Sequence, residues 1–331
     1  MSGALLATSL ARWLDLIGQA GVLGSVSFEL LVLPAGARRL DPVRRSLRGI
    51  GLAALVLLTV ASVAELVARA STMAGGGLAA GLSALPLVVE KTHFGAIWGV
   101  RALAIGVLAL LCTATSRRTR MISFVAALAT AATTALTGHA AGGGDLTPIA
   151  FVDWVHIVAS GGWTGGLFCL SFAVLRNADV MKDTPLLAQI AGRFSRLAGA
   201  CVVAVLVTGI ANVWVQFADI AALWSTPYGR IFTGKLACVV GLLGIGAVNR
   251  YVVVPGFSRE PSRAGTQHAD RVAAGGFTRY VAVEVILAAL VFGCTAFLGQ
   301  LPPPRHGTMH GNGEHASVEG IAGPLRTGTR T

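Results

Sequence analysis

The chain has 331 residues, 54% of them hydrophobic and only 12% charged, whereas a soluble domain carries about 25% charged residues. That deficit excludes an ordinary soluble domain and predicts an all-α, polytopic membrane protein. The net charge of +11 does not point to nucleic acid, because the basic residues gather in short segments between apolar runs, where they report orientation.

Apolar runs of about 20 residues, the length that crosses a ~30 Å hydrocarbon core, recur eight times. The predicted helices cover 14–34, 48–70, 93–113, 120–141, 152–175, 196–216, 229–249 and 279–300. None of the runs alternates as a barrel strand does, so backbone satisfaction in lipid demands helices. The first run lacks a clear charged leader and cleavage site and reads as a retained helix. It carries Glu29 near its inner end. Segment 35–48 follows with five arginines, and 71–92 is too interrupted to span, so it is placed as an outer interfacial cap. His93 opens the third span, which also holds Arg101, and 116–120 holds three more arginines. His139 closes the fourth span.

The fifth span, VDWVHIVASGGWTGGLFCLSFAVL, carries two titratable groups near its start, Asp153 and His156. Such groups are costly inside a membrane and mark a functional site by default. Gly162, Trp163, Gly165 and Gly166 follow on the same helix, and small residues there let another helix approach closely. Segment 176–196 holds four basic residues, 217–228 forms a second outer cap, and the seventh span contains Lys235. A further five arginines lie in 250–279, and Glu284 sits near the inner end of the last span. Residues 301–331 form a polar, glycine-rich tail, expected to be flexible. Seventeen of the 26 basic residues thus occupy alternate loops. The positive-inside rule assigns those loops to the cytoplasm and both termini to the periplasmic side of a bacterial inner membrane.

The halves look like copies. WLDLIGQAGVLG (13–24) aligns with WVHIVASGGWTG (154–165), setting Asp15 against His156 and Gly24 against Gly165. THFGAIWGVRALAIGVLALL (92–111) aligns with TPYGRIFTGKLACVVGLLGI (226–245), setting Arg101 against Lys235. The expected organisation is two parallel four-helix repeats, 1–142 and 143–300, followed by the tail 301–331.

Six of seven histidines fall on the outer side under this topology, a bias that a transition-metal site would explain, since imidazole suits copper, zinc, iron and nickel. His139 and His156 are brought close by a short connector, with Asp153 on the same face as His156. Asp153 either orients the imidazole or ligates directly, and His93 is an accessory candidate. In the tail, His306, Met309, His310 and His315 offer nitrogen and thioether donors suited to collecting copper. Glu29 and Glu284 are candidates for the inner part of an ion path, or pair with nearby arginines. Arg101 and Lys235 snorkel or bind such acids. Trp154, Trp163, Trp214 and Trp224 fit an aromatic belt at the outer interface. Five dispersed cysteines form no thiolate cluster. No P-loop, serine-hydrolase elbow or zinc-protease motif is present, so no enzyme activity is expected.

Asp153-Trp154-x-His156, Gly162-Trp163-x-Gly165-Gly166, Arg193-Phe194-Ser195, Thr208-Gly209-Ile210-Ala211-Asn212, Thr226-Pro227-Tyr228-Gly229 with Lys235, and Asn249-Arg250 occur in that order. Together they resemble the copper resistance D (CopD) family, over about 150–300. The resemblance implies an inner-membrane protein of copper uptake or resistance, with copper as substrate, working beside a separate periplasmic copper-binding protein. The alternatives are a haem-binding membrane redox protein with paired histidine ligands and an assembly subunit that transports nothing.

Overall fold

The computed structural model describes residues 3–36, 38–75, 77–137, 147–217, 219, 221–253 and 266–301. Among them the protein is helical throughout, without strands, and eight helices are long and apolar enough to cross a membrane. The spanning helices are α1 (Gly3–Ser27), α2 (Asp41–Met73), α4 (His93–Leu111), α5 (Arg117–Leu136), α6 (Pro148–Cys169), α8 (Thr184–Gln216), α10 (Pro227–Val248) and α11 (Thr266–Leu298). Three shorter helices, α3 (Leu78–Lys91), α7 (Ala178–Lys182) and α9 (Ala222–Ser225), lie between them.

Several helices begin well before their apolar runs. α2 starts at Asp41 and α8 at Thr184, so the arginine-bearing stretches are continuous with the spans. Once a helix exists, each added residue gains a hydrogen bond at little cost, and hydropathy alone does not register such polar extensions. Their starts are set by local chemistry instead. Pro42 and Pro185 stand in the first turns, where a missing N–H costs nothing. Asp183 caps α8 by accepting the amide of Leu186 at 3.1 Å.

The connections that lead into α4 and α10 close in the same way. Thr92 accepts the Gly95 amide at 3.0 Å, and Thr226 accepts the Gly229 amide at 2.9 Å. At each glycine a Cβ would collide with backbone carbonyls of the preceding helix, Val88 and Val89 or Ala222. The glycine therefore lets a new span turn in against the cap before it.

α1 and α6 form the centre. α1 packs on α2, α5, α6 and α11, while α6 packs on α1, α5, α8 and α11. Close approach depends on missing side chains: a Cβ on Gly24 would overlap the Gly165 backbone, and one on Gly165 would overlap the Ala20 carbonyl. Gly162 and Gly166 face α8, meeting Cys201 and Phe194. Both central helices end in a single wide π turn, Phe28–Val32 and Leu170–Val174. Trp163, expected in the outer belt, is instead only 6% exposed and packs in the core with Phe28 and Phe194. Its position in the middle of α6, facing neighbouring helices, outweighs the usual interfacial preference of indole. Trp214 and Trp224 are exposed, as are Leu103, Leu110 and Val240 on the outward faces, which is the surface a bilayer solvates.

Candidate functional site

Two polar clusters stand side by side where α1 meets α6. In the first, Asp15 is fully buried and ion-paired with the Arg101 guanidinium. Arg101 also donates to Ser62 Oγ at 2.8 Å, Thr134 Oγ1 at 2.8 Å and Thr133 Oγ1 at 3.2 Å. Ser62 Oγ lies 3.2 Å from Asp15 Oδ1. Arg12, one turn above Asp15, is 3.7 Å from its second oxygen and 3.5 Å from Glu65. Gln19 adds bonds to Thr130 Oγ1 at 2.8 Å and the Ala127 carbonyl at 3.2 Å. Two cations meet two anions inside a hydroxyl-lined shell, so the charge is neutralised by the protein itself.

The second cluster is sparser. His156 Nδ1 lies 2.9 Å from Thr208 Oγ1, and Thr208 Oγ1 lies 2.6 Å from the Ala204 carbonyl. A hydroxyl has one proton, and the close carbonyl takes it, so the threonine oxygen accepts from an Nδ1–H of histidine. The Val205 carbonyl also interacts with the ring. With the Nδ1 proton held on Thr208, the neutral imidazole is the tautomer with Nε2 unprotonated, the form that binds a metal ion. Asp153 has a different partner, Asn212 Nδ2 at 3.5 Å, so the carboxylate does not orient the imidazole. Lys235 interacts electrostatically with both Asp153 and His156, and Arg12 with Asp153 across the α1–α6 contact.

His139 and the tail residues His306, Met309, His310 and His315 lie outside the described residues. His93 is exposed at the start of α4, a helix that packs on α2, α3 and α5. Among the described residues no three His, Cys, Asp or Glu side chains converge to hold a metal ion. Glu29 pairs with Arg120 at 3.2 Å, and Glu284 accepts from Asn249 Nδ2 at 3.1 Å. Arg101 does not bind either of those acids. It reaches Asp15 instead, brought near by the packing of α1 and α4 on α2. The sequence reading overlooked the Arg12–Glu65 pair and the threonines 130, 133 and 134. Their signal was present as spacing: arginine and aspartate at i, i+3, and three threonines on one helical face.

A bundle of eight apolar helices with ion pairs buried among α1, α2 and α4 defines a multi-pass membrane protein. The family model described as Copper resistance protein D matches residues 188–298, and that of the Copper resistance protein D-like, N-terminal domain matches 1–147. The chain is 30% identical over 305 residues to Copper resistance protein D of Pseudomonas syringae pv. tomato, covering 86% of this chain and 93% of that protein. It belongs to the copper resistance protein D family. It is also 27% identical over 239 residues to Copper transport protein CutJ of Bacillus subtilis (strain 168), covering 69% of this chain but only 43% of that protein. No solved structure matches the chain.

Proposed function

We propose that this protein carries copper ions across the bacterial inner membrane from periplasm toward cytoplasm, without a catalytic step, with His156 as the receiving ligand. The observation that carries the reading is the hydrogen-bond order around His156, in which Thr208 and the Ala204 carbonyl leave Nε2 free to coordinate. Asp153 lies one turn nearer the outer mouth and supplies negative charge to an arriving cation. His139 completes the capture site, and His93 and the tail residues His306, Met309, His310 and His315 collect ions around it. A separate periplasmic copper-binding protein delivers the ion, and both termini face that compartment.

Residues 1–142 and 143–300 act as parallel repeats in this reading. The contact of Gly24 with Gly165 supports it, because the two glycines occupy aligned positions and meet each other where a two-fold axis along the membrane normal would pass. Family membership supports the choice of copper over other soft cations. The test is copper accumulation in cells carrying His156→Ala. Uptake is expected to fall sharply, and unchanged uptake at normal protein levels rejects the assignment.

A further inference from the structure

At the inner end of the second half, a cavity of about 570 Å³ opens between α6, α8, α10 and α11. That volume is far more than a bare ion occupies. The cavity reaches the lipid-facing surface, since two of its lining residues, Val203 and Tyr251, are 62% and 72% exposed. Its walls are apolar along α8 and α10, at Val202, Leu242 and Leu243, and polar at one end.

The polar end carries both signs of charge. Arg196 and Arg250 line it as guanidinium donors, and Arg250 is anchored by a bond to the Ser195 carbonyl at 2.6 Å. Glu284, only 2% exposed, lines it as a carboxylate. Asn249 is 7% exposed; its Nδ2 is spent on Glu284, and its buried Oδ1 has no hydrogen-bond partner. An orphaned buried acceptor costs free energy until a donor reaches it. The site thus presents donors for an anion beside acceptors for a cation, next to an apolar trough open to the bilayer. A lone cation is repelled by the two arginines, and a purely anionic headgroup leaves Glu284 and Asn249 Oδ1 unmet.

We propose that this cavity binds a phospholipid with a primary-amine headgroup, of the phosphatidylethanolamine class. The phosphate pairs with Arg196 and Arg250, the ammonium donates to Glu284 and Asn249 Oδ1, and an acyl chain lies along Val202 and Leu243. Two carbons separate phosphate from ammonium in such a headgroup, which lets one molecule meet both sets of partners.

The test is native mass spectrometry of the purified full-length protein exchanged into equal amounts of phosphatidylethanolamine, phosphatidylcholine and phosphatidylglycerol. Phosphatidylcholine keeps the phosphate but has no N–H, and phosphatidylglycerol has no amine. The ethanolamine lipid is expected to be retained about tenfold over either, as charge-assisted hydrogen bonds to ammonium permit. Glu284→Gln should bring the three lipids to near parity, whereas Arg196→Gln with Arg250→Gln should lower retention of all three. Equal retention by the unmodified protein overturns the proposal, as does a preference that survives Glu284→Gln. Should Glu284→Gln fail to fold, Ala198→Phe, which fills the trough from α8, must expel the lipid; folded protein that keeps it overturns the assignment. Loss of copper uptake in Glu284→Gln with lipid preference intact places the carboxylate on an ion route and also overturns it. Lipid retention is read without copper, so this outcome is separable from the transport reading.

Discussion

In the first half, Asp15 meets Arg101 while a serine and two threonines bind the guanidinium, and Arg12 and Glu65 close the cluster from above. In the second half, His156 stands at the aligned position with one side-chain partner, Thr208, and the aligned cation is Lys235. Every strong charge in the first cluster is answered by another residue, so that cluster fixes how α1, α2, α4 and α5 sit together. The second leaves a ring nitrogen unspent and an aspartate held by one long bond. The first cluster thus answers each charge with an opposite one, although Asp15 Oδ2 and Gln19 Oε1 find no hydrogen bond, whereas the second leaves His156 with a single side-chain partner.

The largest expected effect attacks the Asp15–Arg101 cluster. Arg101→Ala leaves Asp15 buried without its partner and should cost about 3–5 kcal/mol, read as unfolding of the detergent-solubilised protein. Lys235→Ala should cost less by the same measurement, because Lys235 meets Asp153 only through longer-range attraction and not through a contact ion pair. Equal losses would erase the distinction between the halves. Next comes the seam that joins them. Gly165→Leu forces side-chain atoms into the Ala20 carbonyl and Gly24 backbone, and should destabilise by about 1–3 kcal/mol or more. Gly192→Leu, on α8 with open space around its missing Cβ, should not.

The His156 side is better probed by affinity than by stability. Thr208→Val keeps the shape but removes the oxygen that receives Nδ1–H, and copper affinity measured by titration should fall about 10–100-fold. Thr208→Ser restores the acceptor and should restore binding. A Val variant that binds copper normally would show that imidazole orientation comes from elsewhere, with the Val205 carbonyl as the first suspect.

Much of the architecture is legible in the chain because spanning length and apolar character are local properties. The eight spans could be read from hydropathy, whereas the arginine-bearing N-terminal extensions of α2 and α8 could not, since they are helical and polar at once. Asp153 and His156 stand out as titratable groups in an apolar run. Their partners do not: Thr208 and Asn212 are 52 and 59 residues away in sequence and are ordinary residues until α8 packs on α6. Arg101 reads as snorkelling or binding an inner acid, and its partner Asp15, 86 residues away in sequence, emerges only from the packing of α1 and α4 on α2. Trp163 carries two readings in sequence, interfacial belt and helix packing, and only its burial in the cluster with Phe28 and Phe194 decides for the second.

The smallest effect concerns the aspartate. Asn212 Nδ2 is 3.5 Å from Asp153 Oδ1, at the outer limit of a hydrogen bond, so Asn212→Ala should change stability by only about 0.5 kcal/mol. Its influence on copper should be small too, roughly twofold in affinity, because the carboxylate contributes field rather than a fixed ligand bond. Asp153→Asn is the sharper companion: it keeps the shape and removes the charge that offsets Lys235 and Arg12. A weakening of copper binding by Asp153→Asn that high salt partly masks in the unmodified protein would mark an electrostatic role. Indifference to salt, with loss of binding in both variants, would instead make the Asp153–Asn212 pair a rigid part of the coordination sphere.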